Sequence, residues 1–253
     1  TNLTLSGSTL IGTNRVGVGT LLVDAGGLSG QLTVEGSGEL ELGGGAIKEL
    51  FRLTLLNHGT VRWTGGDLRG GQDPTTVITN YGLWEITTDS LFQQWTGPTP
   101  SQFVNLGTLR KSAGPGTATL SGVHVTTLGQ VIVDAGTLVL SGPASLPSVI
   151  GGTMQVAAGA RLDLNGSSFV QVPGQCTGAG VSALRGGTLR LETDILPGMV
   201  HAGGFVAIGS AFQQGGAITN LTLSGSTLIG TNRVGAGMLR VTDGGLSGQL
   251  RVE

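Results

Sequence analysis

A nine-residue pattern, apolar-x-Asn-x-Gly-x-apolar-x-apolar, recurs along this chain at short and nearly even intervals. It is read in LLNHGTVRW (55–63), ITNYGLWEI (78–86) and FVNLGTLRK (103–111), the last ending in Lys111 where an apolar residue is due. A weaker copy, VTTLGQVIV (125–133), carries Thr127 in place of the Asn. The glycines fall at 59, 82, 107 and 129, at intervals of 23, 25 and 22. The right half alone continues in GTLLV (19–23), GELEL (38–42), GTMQV (152–156), GTLRL (187–191) and GMLRV (237–241), with longer gaps over 152–187 and 187–237 that leave room for extra coils or looped insertions. Period-two alternation makes each copy a short strand with one apolar face. One such strand buries nothing by itself; repeated about every 22 residues, it is covered only by stacking on its neighbours. The expected fold is all-β, a parallel β-helix (β-solenoid) of about 22 residues per coil. A meander or sandwich also alternates, but does not explain why like residues return at like positions.

Aligning the coils gives three columns. Asn57, Asn80 and Asn105 fall at one turn of successive coils, where each side-chain amide can bond to the next as in cross-β stacks. Leu55, Ile78, Phe103 and Val125 lie two residues earlier as an inner apolar stack. Glu41, Arg62, Glu85 and Arg110 stand outward with alternating sign, a surface charge ladder worth about 0.2–1 kcal/mol per pair. AIKELFRL (46–53) and DSLFQQW (89–95) read as one or two helical turns at a corner or in a loop, and TGPTP (96–100), SGPASLP (141–147) and VPGQCTGAG (172–180) as loops.

A second, much longer period is present. Residues 1–35 return at 219–253, an offset of 218, with 29 of 35 positions identical. The chain is therefore expected to hold one complete unit, 1–218, of about ten coils and about 48 Å at ~4.8 Å per coil, followed by the start of another, 219–253. Leu21, Val23, Leu32 and Val34 recur as Leu239, Val241, Leu250 and Val252. Leu22, Asp24 and Thr33 become Arg240, Thr242 and Arg251, so variable outward positions alternate with fixed inward ones.

Composition narrows the function. Glycine supplies 48 of 253 residues, about a fifth against a usual ~7%, and charged residues 11% against a usual ~25%. A hydrophobic share of 38% is enough for a core and argues against disorder. The net charge of −2 offers no footprint for nucleic acid or an acidic membrane surface. No apolar run is long enough to span a membrane. Cys176 stands alone, so no internal disulfide is expected.

Chemistry is sparse. A polysaccharide-cleaving β-helix needs clustered carboxylates, whereas the 15 Asp and Glu are scattered. The densest polar stretch, NHGTVRWTGGDLRGGQD (57–73), offers His58, Arg62, Asp67, Arg69 and Asp73 as a candidate surface site, although solvated turns account for the same residues. Trp63 and Trp84 take core positions; Trp95 falls outside the pattern and is a candidate exposed platform for a sugar or a partner. His124 and His201 lack a partner at metal-ligand spacing, no calcium-binding nonapeptide occurs, and no glycine run is a phosphate loop. No cofactor, no metal and no catalytic residue is expected. Thr20, Thr60, Thr108, Thr153 and Thr188 share one position, but Glu39, Leu83 and Gln130 interrupt the row, which ranks an ice- or mineral-templating surface last.

The strings NLGTLRK (105–111), GTLVL (136–140) and GTLRL (187–191) resemble those of the passenger regions of autotransporters and of filamentous-haemagglutinin-type adhesins of bacteria. The resemblance is a pattern that covers most of the chain. It implies export to the extracellular space or cell surface, a rod shape and right-handed coiling, and it implies no specific site. The expectation is a non-catalytic structural or adhesive rod whose partners are the next unit of its own array, end to end, and host or matrix glycans. The alternative is a β-helix that binds or cleaves carbohydrate.

Overall fold

Each coil of the chain contributes three short strands, and like strands stack in register into three columns. The computed structural model describes residues 2–253, among which there are twenty-six strands and no helix. Every ladder between strands is parallel. The first column begins with residues 3–5 and continues through 21–23, Gly38–Leu42, Thr60–Trp63, Leu83–Ile86, Thr108–Lys111, Gln130–Val133 and 153–156. The second runs through 25–28, Lys48–Phe51, Leu68–Gly71, Leu91–Thr96, Thr117–Ser121, Thr137–Gly142, Arg161–Gly166, Val181–Leu184 and Met199–His201. The third runs from Thr13–Val16 through Gly30–Val34, Leu53–Asn57, Val77–Asn80, Gln102–Asn105 and His124–Thr127 to Thr188–Leu191 and Phe205–Ile208. The fold is a parallel β-solenoid of about 22 residues per coil.

Inward residues make one continuous core. In the third column Leu32, Leu55, Ile78, Phe103 and Val125 are stacked and buried, and in the first Leu40, Val61, Trp84, Leu109, Val131 and Met154. Each full burial is worth about 1.5–3 kcal/mol, available only because the neighbouring coil supplies the cover. Trp84 meets Phe103 edge-to-face, with ring centroids 5.1 Å apart.

The corners explain part of the glycine content. Gly26 and Gly30 have φ of 99° and 96°, and their counterparts in the second copy of the repeated segment, Gly244 and Gly248, have 98° and 119°. An added Cβ at Gly26 would fall on the Ser8 carbonyl, and one at Gly244 on the Ser226 carbonyl. Both the left-handed backbone and the close approach of the preceding coil therefore demand glycine.

Several expectations need correction. Residues 46–53 and 89–95 are not helical: they contribute Lys48–Phe51, the start of Leu53–Asn57, and Leu91–Thr96 to the columns. Their close apolar residues suggested a turn of helix, but Lys48 and Leu50 alternate inward with Glu49 outward. Much of 172–180 is strand, as part of Ser168–Thr177. The long gaps over 152–187 and 187–237 hold further stacked strands rather than looped insertions. Near the end of the chain Leu239 is half-buried, while Val241, Leu250 and Val252 are exposed, although their counterparts Leu21, Val23, Leu32 and Val34 are buried. The difference is the cover: residues 38–57 lie over the first set.

Candidate functional site

The turn between the third and first columns carries the most ordered polar feature. Asn57, Asn80 and Asn105 all point inward and are fully buried. Asn57 Nδ2 donates to Asn80 Oδ1 at 2.6 Å, and Asn80 Nδ2 to Asn105 Oδ1 at 2.8 Å. Each amide also donates to a backbone carbonyl of the next coil: Leu83, Thr108 and Gln130 respectively, at 2.8–3.0 Å. Thr127 ends the run by accepting from Asn105 at 3.2 Å. Every one of these hydrogen bonds crosses between coils, so the ladder fixes their register as the apolar stack fixes their spacing.

Outside this corner the residues next to the asparagines form an exposed ridge. His58 stacks face to face on Tyr81, with centroids 4.9 Å apart and 4° between planes, and exposed Leu106 and Leu128 follow on the next two coils. The charge column on the first face exists in register as Glu41, Arg62, Glu85 and Arg110. The ion pairs differ from a simple alternation. Arg62 bonds Glu39 at 2.8 Å and lies 3.8 Å from Glu85, Arg110 bonds Asp134 at 2.6 Å, and Glu41 accepts from the Thr64 hydroxyl at 3.2 Å. A long arginine side chain reaches diagonal neighbours as readily as the one directly opposite.

The polar stretch 57–73 winds around nearly a whole coil, so its members part company. His58 sits at the turn before the first column, Arg62 on that column, Asp67 at the next turn, Arg69 on the second column and Asp73 beyond it. Asp67 is engaged in structure, its Oδ1 accepting from Leu91 N at 2.9 Å. Asp73 precedes a cis Pro74 in the turn that follows the second column. The fold thus separates residues that are neighbours in sequence, and it joins two from successive coils. The Arg69 guanidinium carbon is 3.7 Å from the ring centroid of Trp95, itself 52% exposed. In this cation–π pair the guanidinium lies over one face of a half-exposed indole, with Gln93 beside Arg69 on the next coil. Arg69 Nε is buried and has no hydrogen-bond partner.

Two lysines occupy core-facing positions, Lys111 where the nine-residue pattern is broken and Lys48 in the stretch expected to be a helical turn. Lys111 is fully buried and lies in register between Ile86 and Val133. Its ammonium turns to the corner and donates to Asp89 Oδ1 at 2.7 Å and to the carbonyls of Ala113 and Thr88. That hydrogen bond holds the Asp89 carboxyl below its usual range. Lys48 donates to the carbonyls of Gly65 and Gly44, at 2.5 and 3.3 Å, and burial pushes its pKa down against the pull of Asp24 and Asp67. Cys176 is half-buried, its thiol pushed up to about 11 by burial, which makes it a poor nucleophile. His201 is buried with Nδ1 3.1 Å from the Thr222 carbonyl, and burial lowers its pKa. Among the described residues no three His, Cys, Asp or Glu side chains gather as a metal site, and no helix is long and apolar enough to cross a membrane.

No family model, no curated protein and no solved structure matches this chain.

Proposed function

We propose that the chain is part of a non-catalytic extracellular rod, built of tandem β-solenoid units like 1–218 and adhesive through its lateral surface. The observation that carries this reading is the repeated segment. Residues 220–253 wind as residues 2–35 do, with glycine turns at equivalent positions, so a unit can follow a unit with no change of fold. The six differences between the copies spare every inward position of 21–34. One of them is Leu22 to Arg240. Leu22 is the register neighbour of Glu41, so a following unit would set Arg240 beside its own copy of that carboxylate. Extracellular placement rests on the resemblance to secreted rods. Protease treatment of intact source cells tests it: peptides of this chain should be released without lysis, and their release only after lysis would refute the placement.

The second reading, a carbohydrate-binding surface, is favoured by one observation, the exposed Trp95 ring with Arg69 against it. Titration of the chain with a panel of polysaccharides, followed by Trp fluorescence and by release of reducing ends, separates the two. Binding lost in Trp95→Ala would support a glycan site, and release of reducing ends would refute the non-catalytic reading.

A further inference from the structure

The two copies of the repeated segment do not sit on the same face of the solenoid. Along the third column the register neighbours are Arg15, Thr33, Leu56, Thr79, Val104, Thr126, Val149, Val170, Arg190, Ala207 and Ile229. Ten coils thus separate Arg15 from Ile229. The counterpart of Arg15 in the second copy, however, is Arg233, which lies four positions further on. The residue that stacks above Ala207 is the counterpart of Ile11, which in the first copy directly follows the second-column residue Leu10. The second column shows the same displacement. His201 meets Thr222, the counterpart of Thr4, and Thr4 belongs to the first column. Ser226, the counterpart of Ser8, donates to the Gly203 carbonyl at 2.6 Å, one corner further round.

We infer that one unit advances the solenoid by ten and a third coils, so that each unit of the array presents its surfaces one face further round the rod than the last. This rests on the tandem reading above. Three units make thirty-one coils and restore the starting face, at a spacing of about 150 Å for a rise of ~4.8 Å per coil.

The consequence lies in how the rod meets partners. From Gln31 to Val170 the outward residues of the third column include no Asp, Glu, Lys or Arg, among them exposed Leu56 and half-buried Val104 and Val149. Continued along one side of an array, such a face would invite lateral zippering of rods. Turning by one face per unit breaks it into separate lengths, each followed on the same side by a differently charged surface. The Arg69–Trp95 patch is displayed in three directions in turn. That arrangement suits a partner that surrounds the rod, a three-dimensional polymer matrix, better than a flat surface along one side.

The register can be trapped in the chain as it stands, in a Cys176→Ser background. Directly opposed residues of adjacent parallel strands lie ~4.8 Å apart, within the Cα range of a disulfide. Ala207→Cys with Ile229→Cys should oxidise to near completion, and Ala207→Cys with Arg233→Cys should remain reduced. The reverse result would mean a whole number of coils per unit and would overturn the inference, while leaving the rod itself intact. Failure of both pairs to oxidise would also overturn it, since circular dichroism and the melting transition show independently whether each variant is folded. Electron microscopy of a multi-unit chain labelled once per unit gives the second check. Labels should recur on one side at every third unit, and recurrence at every unit would contradict the face shift.

Discussion

Replacing Asn80 by leucine separates the energetic role of the amide ladder from its shape. The same inward position is filled by Val34 two coils earlier and by Ile150 three coils later, so an apolar side chain fits there. The cost is therefore in hydrogen bonds. Asn80→Leu removes the acceptor of Asn57 Nδ2, the donor to Asn105 Oδ1 and the donor to the Thr108 carbonyl. Asn57 Nδ2 keeps its bond to the Leu83 carbonyl, but Asn105 Oδ1 loses its side-chain donor in a buried site. An orphaned buried acceptor costs about 1–3 kcal/mol and each of the other two hydrogen bonds lost about 1, giving about 3–5 kcal/mol together. For a urea slope of ~3 kcal/mol/M this lowers the unfolding midpoint by about 1.0–1.7 M. The control is Asn165→Leu, where the exposed amide accepts only from Gly166 N, and the expected change is within about 0.5 kcal/mol. Urea titrations followed by far-ultraviolet circular dichroism decide it. Equal midpoints for the two variants would refute the ladder as a source of stability.

Three further outcomes follow from the same geometry. Lys111→Met should leave stability unchanged or raise it, because a volume-matched apolar residue replaces a buried charge among Ile86, Leu109 and Val133, whereas Asp89→Ala should cost about 1–3 kcal/mol by leaving that ammonium without its carboxylate; thermal melts of both variants check the asymmetry. Gly26→Ala should destabilise strongly through its clash with the Ser8 carbonyl and its positive φ, while Gly45→Ala, where nothing lies within 4 Å of the added Cβ, should be tolerated. Because burial lowers the pKa of His201 in the folded state, the unfolded chain takes up a proton first as pH falls below ~6.5. Stability should therefore decline from pH 7 toward pH 5, and His201→Met should flatten that slope in melts across this range.

The period was legible because stacking repeats the same demand in every coil: glycine where the preceding carbonyl comes close, an inward apolar residue two positions on, an outward residue free to vary. Asn57, Asn80 and Asn105 could be aligned for that reason. What could not be read was the path between patterned strands. Lys48–Phe51 and Leu91–Thr96 lack the Gly-x-apolar-x-apolar signature because their column turns through corners of variable length, as at 72–76 and 97–101. The polar stretch 57–73 looked like a cluster only in one dimension; a coil that encircles the rod sends its members to different sides. The Arg69–Trp95 pair was hidden for the complementary reason, since contact between neighbouring coils joins residues about one period apart. Lys111 broke the pattern visibly, but only the placement of Asp89 at the adjacent corner explains how a lysine is held there.

The length of a multi-unit chain tests the central claim most directly. Ten and a third coils at ~4.8 Å give a rise of about 50 Å per unit, so electron micrographs of chains with two, four and six units should show unbranched rods whose length grows by that step. Compact particles, or a step far from that value, would contradict the solenoid array.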